Sequence, residues 1–255
     1  TLRSWKRARD RVLEFDARRG DVHQWRIATR RLLAAEQLLA PASDIRQGPT
    51  PLERELGRAF RAAGRVRDAQ VSIALARGFA AAHPVARAIG GALRRRLPRR
   101  RCKLQRRLEQ VRVARLRRIV DGWNPAQARG KPAETASARL SRARRRIASA
   151  LDSVPQRAAP GALHRLRLEV KQARYMADIV AMRLPAKPGH RVEPPLADWQ
   201  RELGAIADLA AFDAHLERYA RREPARATEL RRLRRALLQR QRQLVATFLR
   251  RRLVA

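Results

Sequence analysis

An internal repeat that relates the two halves of the chain constrains it more than any other feature. His23-x-x-Arg26-x-x-x-Arg30 recurs in the second half as His164-x-x-Arg167-x-x-x-Lys171. Gly64-x-x-x-Asp68 recurs as Gly204-x-x-x-Asp208, at the same separation to within a residue. Apolar partners keep that offset: Ile27 with Leu168, Leu38 with Ile179, Leu39 with Val180, Val66 with Ile206. Several features sharing one offset argue for two copies of one unit. The Gly- and Pro-bearing stretch from Asp121 to Pro132 lies at the midpoint. The expected organisation is a first repeat over residues 1–124, a linker over 125–132 and a second repeat over 133–255, together one domain.

Each copy reads as helix. Alternating Val/Ile/Thr/aromatic runs bounded by turns are missing, and Ala, Leu, Arg and Gln dominate. Helices are expected over 2–18, 21–40, 51–80, 84–121, 133–153, 160–184, 196–221 and 225–253. Asp21, after Gly20, is expected as an N-cap, and the loop from Pro41 to Pro51 and the later prolines set other boundaries. Pro98 falls inside the fourth pattern and is expected to kink it or split it in two. Leu230, Leu233, Leu237, Leu244 and Phe248 recur at helical steps, as do Leu104, Leu108, Val111 and Ile119. Short connections between amphipathic helices make neighbours antiparallel. The expected fold class is all-α: two four-helix bundles related by a pseudo-twofold axis.

The 60 Lys and Arg, all but five of them Arg, face 23 Asp and Glu, a net charge of +37. Self-repulsion on this scale destabilises a compact chain unless anions offset it, so a polyanionic partner is expected. Arg in place of Lys suits forked contacts to phosphate oxygens. Cys102 is the only cysteine, which excludes an internal disulfide framework and a multi-cysteine metal site. No apolar run is long enough for a membrane span, and the first ten residues carry no apolar signal core. The chain begins inside a helical pattern without an initiator Met, which suggests a truncated start.

His23, Arg26 and Arg30 lie at i, i+3 and i+7, one stripe on one helix face. His164, Arg167, Lys171 and Arg174 extend the equivalent stripe by a turn. Each stripe starts near a helix N-terminus, where free N–H groups and the dipole also favour an anion. A row of donors at near-constant spacing is what a phosphate polymer requires. Against this stands the plainer reading that each His packs at a helix start and the Arg face water. Asp68 and Asp208 either hold stripe Arg side chains in place or form weak surface ion pairs. Gly64 and Gly204, inside helical patterns, are expected to permit close helix packing. The Arg runs at 94–96, 99–101, 142–146 and 231–235 point around their helices and read mainly as solvated surface.

No paired carboxylates read as a Mg²⁺ site, since Glu53-x-Glu55 sits among helix-surface residues. His83, His190 and His215 lack ligand spacing. A P-loop, a nucleophile elbow, helix-turn-helix spacing and an aromatic stacking platform are all missing. No cofactor or metal is expected.

These residues resemble the CHAD family, the conserved histidine α-helical domain. Val22-His23-Gln24-Trp25-Arg26-Ile27-Ala28-Thr29-Arg30-Arg31-Leu32 is similar to its His-x-x-Arg-Val-x-x-Arg-Arg-Leu segment. Arg67-Asp68-Ala69-Gln70-Val71 resembles its Arg-Asp-x-x-Val element. His164-Arg165-Leu166-Arg167, continuing through Lys171, Arg174 and Tyr175, resembles its second-half motif, and Gln200-Arg201-Glu202-Leu203-Gly204 its Leu-Gln-x-x-Leu-Gly element. The resemblance implies two bundles facing each other across a basic cleft that binds inorganic polyphosphate without catalysis. It implies His23, Arg26, Arg30, Arg31, His164, Arg167, Lys171 and Arg174 as ligand contacts, with Asp68, Asp208, Arg67, Tyr175, Gln200 and Arg201 in support. It also implies a cytoplasmic protein associated, in bacteria, with polyphosphate granules. Leu33 stands where the family often has Arg, so the first stripe is one contact shorter. The Glu-x-Glu-x-Lys signature of the triphosphatase domain often fused to the family is missing from this chain. Rival expectations are a nucleic-acid-binding protein and an enzyme acting on phosphoanhydrides.

Overall fold

The structure, a computed structural model, describes residues 2–14, 16–18, 20–40, 48–123, 132–154, 160–183 and 194–253. Side chains are described for all of these except 132–135, 160, 183, 194–195 and 252–253. The expected linker over 125–132 therefore lies almost wholly outside the described residues. The helices are α1 (Leu2–Leu13), α2 (Asp21–Leu39), α3 (Pro51–Phe79), α4 (Pro84–Glu109), α5 (Val113–Asp121), α6 (Pro132–Asp152), α7 (Pro160–Arg183), α8 (Pro194–Ala220) and α9 (Ala227–Leu253). A short 3₁₀ turn, Pro224–Arg226, leads into α9. No helix among the described residues is long and apolar enough to cross a membrane.

The helix starts follow their chemistry. Pro51 follows Thr50, whose hydroxyl accepts from the Glu53 N–H at 3.2 Å while the Glu53 carboxylate accepts from the Thr50 N–H at 3.0 Å. Glu36 of α2 completes this corner: its carboxylate accepts from the Thr50 hydroxyl and from the Leu52 N–H at 3.0 Å. A fully buried carboxylate thus sits at the positive end of α3 and ties it to α2.

Three expectations change. Asp21 is not the N-cap of α2; that place belongs to Gly20. Asp21 lies in the first turn, where its carboxylate suits the helix dipole, and it accepts from the Arg18 N–H outside the helix. Pro98 does not split the fourth helix, since α4 runs through it. Pro98 is exposed, while Leu93 and Leu104 on either side are buried and hold the helix to the core. The break falls instead at Gln110–Arg112, where the Glu55 carboxylate accepts from the Arg112 N–H at 3.0 Å and pairs with Arg115 at 3.5 Å. Glu55 thus starts α5 from across the structure, and the described residues of the first half form five helices, one more than expected.

The buried apolar residues do not divide by repeat. One cluster joins Trp5, Trp25, Leu32 and Leu56 of the first half to Leu166, Val170, Met176 and Phe248 of the second. The other joins Ile73, Ile89 and Leu93 to Leu209, Phe212, Leu233 and Leu237, with Phe79 stacked on Phe212 at 6.2 Å. Across the middle, α2 packs on α7 and α3 on α8. The helices that carry the two sequence stripes are therefore direct neighbours.

Candidate anion-binding cleft

The cleft is built on α2, α3, α7 and α8. Trp25 and Thr29 on α2 face the core, where the Trp5 indole N–H donates to the Thr29 hydroxyl at 3.0 Å. That orientation leaves His23, Arg26 and Arg30 along the flank toward α3 and α7. The Arg26 guanidinium donates to the Phe60 carbonyl at 3.2 Å and lies over the Phe60 ring at 4.7 Å; Arg30 shares that ring at 5.2 Å. A Cβ at Gly64 would sit 3.2 Å from the Arg26 guanidinium. Gly64 thus makes room for a cation rather than for a second backbone, contrary to expectation. Gly204 is open, with nothing within 4 Å of a Cβ there. Close helix approach is seen instead at Gly90, where a Cβ would lie 3.2 Å from that of Ala76.

From the other side, Arg167 and Lys171 of α7 reach the same space. Lys171 feels Arg167, Arg30 and Arg26, and His23 feels Arg67, Arg26 and Lys171. Asp68 and Asp208 lie between the stripes, each facing Arg167 and Arg67. The two stripes therefore share one electrostatic environment spanning both halves.

That environment is reached by solvent yet crowded by protein. Asp68 and His23 are open to solvent, yet the surrounding protein mass shifts both. Burial, reinforced by Arg167, Arg30 and Arg26 and only partly opposed by Asp208, pushes the Lys171 ammonium down to about 7. Burial and then Arg30 lower Arg26 to about 10, with Asp68 opposing. Burial also lowers Arg30 and Arg167; Tyr175 opposes the first shift and Asp208 and Asp68 the second. The His23 imidazole is lowered by burial, then by Arg67, Arg26 and Lys171. Burial raises both carboxyls, against the pull of the Arg side chains. Every cation here would gain from an added negative charge. Arg167 Nε, buried and without a hydrogen-bond partner, carries the same signature.

Not every expected residue joins this set. Tyr175 is buried beside Arg30, but Arg174 turns to Asp178 at 3.9 Å and to the Tyr175 ring at 5.6 Å. Arg31 is exposed, one residue around the helix from Arg30. His164 is exposed and lines a groove with Arg167, on the side toward α9. Arg201 forms an exposed pair with Asp198 at 2.7 Å, two turns from Asp208. Gln200 Oε1 is buried without a hydrogen-bond partner.

The structure adds residues that the stripes do not show. Phe60 is one; the spacing Phe60-x-x-x-Gly64-x-x-x-Asp68 places it on the cleft face of α3 and could have identified it. Arg100 of α4 is another. It donates to the Arg65 carbonyl at 3.0 Å and lies within reach of Asp68, Arg96 and Arg218. Beyond it, burial and Arg218, Arg100 and Arg96 press the His215 imidazole down to about 4. An Arg218 N–H at 2.9 Å meets Nδ1 of that neutral ring, which must accept because a guanidinium can only donate. Among the described residues, no group of three or more His, Cys, Asp and Glu could hold a metal ion.

The family model described as the CHAD domain matches residues 1–192. The crystal structure of the CHAD domain from the plant Ricinus communis matches with a TM-score of 0.77 and 21% sequence identity, covering 95% of this chain and 83% of that one. At that identity the likeness is one of fold. No curated protein matches the sequence.

Proposed function

The chain belongs to the CHAD domain family, and from that premise we propose that it binds inorganic polyphosphate, without catalysis, in the cleft between α2, α3, α7 and α8. One observation carries the reading. Arg26, Arg30, Arg167 and Lys171, from two helices, share one crowded space, where burial first and the neighbouring Arg charges second push the Lys171 ammonium down to about 7. Such a cluster, in a chain of net charge +37, is stabilised by an anion and destabilised by any further cation. A linear chain of phosphates supplies dense, regularly repeated negative charge along such a row, and each guanidinium can fork onto its oxygens. On this reading Asp68 and Asp208 keep the Arg side chains aimed and limit their repulsion while the cleft is empty. The protein then acts in the cytoplasm, at polyphosphate granules where these form.

Size-fractionated polyphosphates titrated at fixed salt test this. Triphosphate reaches one stripe; a longer chain reaches both, its second contact being intramolecular. Affinity per chain should climb by about 10²-fold or more and then level off once both stripes are covered. A smooth rise with total phosphate and no plateau would reduce the protein to a diffuse cation. Duplex DNA that displaces polyphosphate at equal phosphate concentration would favour a nucleic-acid partner instead. Phosphate release in the presence of Mg²⁺ would replace binding with phosphoanhydride hydrolysis.

A further inference from the structure

The two halves differ in how their helices close. In the first half α1 packs on both α2 and α4, sealed by Arg9 donating to the Leu108 carbonyl at 3.2 Å and Gln105 donating to the Val12 carbonyl at 3.2 Å. In the second half α6 packs on α7, but α6 and α9 are not a packed pair among the described residues. The space left between α7, α8 and α9 is an open cavity of about 870 Å³. Its size falls within the roughly 300–1,000 Å³ range of small-molecule sites. Its floor is hydrocarbon, from Leu203, Ile206, Leu238 and Val245. Its only ionisable lining groups among the described residues are His164, Arg167 and Arg242, and no carboxylate lines it.

We propose that this groove binds a single-chain anionic amphiphile, a free long-chain fatty carboxylate, with its tail on the apolar floor and its head on His164, Arg167 and Arg242. A polyphosphate chain has no use for the apolar floor, and a neutral hydrocarbon has none for three basic groups. A carboxylate on a hydrocarbon chain uses both. The head group meets a guanidinium whose Nε is buried without a partner, and a fork-to-carboxylate contact is the strong form of that bond. The tail removes exposed apolar surface from water.

The full-length chain, free of polyphosphate, is titrated calorimetrically with hexadecanoate below its micelle concentration, and separately with hexadecanol. Because no phosphate polymer is present, the result does not depend on what fills the cleft. Saturable binding of one hexadecanoate per chain is expected, with hexadecanol and Arg242→Gln each weaker by about tenfold or more. Ala246→Trp, which places a large ring from α9 into the groove, should abolish binding. A thermal melt establishes whether that variant folds, and Arg242→Gln carries the test if it does not. Equal affinity for hexadecanol would overturn the head-group assignment and with it the proposal. So would a folded Ala246→Trp that binds like the parent.

Discussion

Lys171 is the cleft residue most open to control by a ligand, because its ammonium already sits at about 7 in the empty site. A polyanion favours the charged form and raises that value, so binding takes up a proton. Affinity should fall as pH rises above about 7 and through the bound value, because the amine must then be protonated at increasing cost. Below that range Lys171 is charged in both states and contributes no slope. Lys171→Arg, charged throughout, should flatten the upper part of the profile; an unchanged slope would move the titrating group elsewhere. Stability carries the opposite sign. Between about 7 and the ordinary lysine value the unfolded chain binds the extra proton, so the empty protein should gain stability as pH rises through that window. Lys171→Met should stabilise the empty protein at pH 6 by on the order of 1 kcal/mol, after screening by water. Gly64→Ala separates packing from binding: a helix-interior Ala favours the helix by about 1 kcal/mol, while its Cβ displaces the Arg26 guanidinium. A melting temperature at or above the parent's with several-fold weaker polyphosphate binding is expected. At this scale the stripe cations were legible, because spacings of three, four and seven residues project onto one helix face. Arg100 was not, because its approach to Asp68 depends on how α4 lies on α3, and its neighbours in sequence are also Arg.

Helices, as elements, were legible and most of their boundaries close, since apolar periodicity and proline boundaries act locally, but α1 ends at Leu13 rather than at the expected residue 18. What misled was long-range compensation. Pro98 stays helical because the flanking leucines hold α4 down, and the real break at Gln110–Arg112 is set by Glu55, far earlier in the chain. No local signal marks a carboxylate as a partner for a distant N–H. Glu36 is a similar case, a charged residue on α2 that is 1% exposed at the foot of α3. Glu36→Ala removes the acceptor for the Thr50 hydroxyl and the Leu52 N–H and leaves both donors buried. Chemical denaturation should show a loss of about 2–3 kcal/mol, with Glu36→Gln losing less because its amide oxygen can still accept. Equal losses would mean that the charge, rather than the hydrogen bonds, holds this corner.

At the scale of the whole molecule, the shared offset singled out helices that lie side by side, without describing the core. The stripes fall on α2 and α7 and the Gly–Asp pairs on α3 and α8, and each of these two pairs of helices packs together. The sharing of apolar clusters across both halves, and the open groove beside α9, depend on packing that no offset encodes. The separation that matters most is between a cleft and a generally cationic surface. Arg26→Glu and Arg240→Glu change the net charge equally, but Arg26 lies in the cleft while Arg240 is exposed on α9. Polyphosphate of a length on the plateau should be titrated against both at one fixed salt concentration. Arg26→Glu is expected to weaken binding by about tenfold or more, with Arg240→Glu close to the parent. Equal losses in the two variants would contradict a cleft and leave net charge alone as the cause of binding.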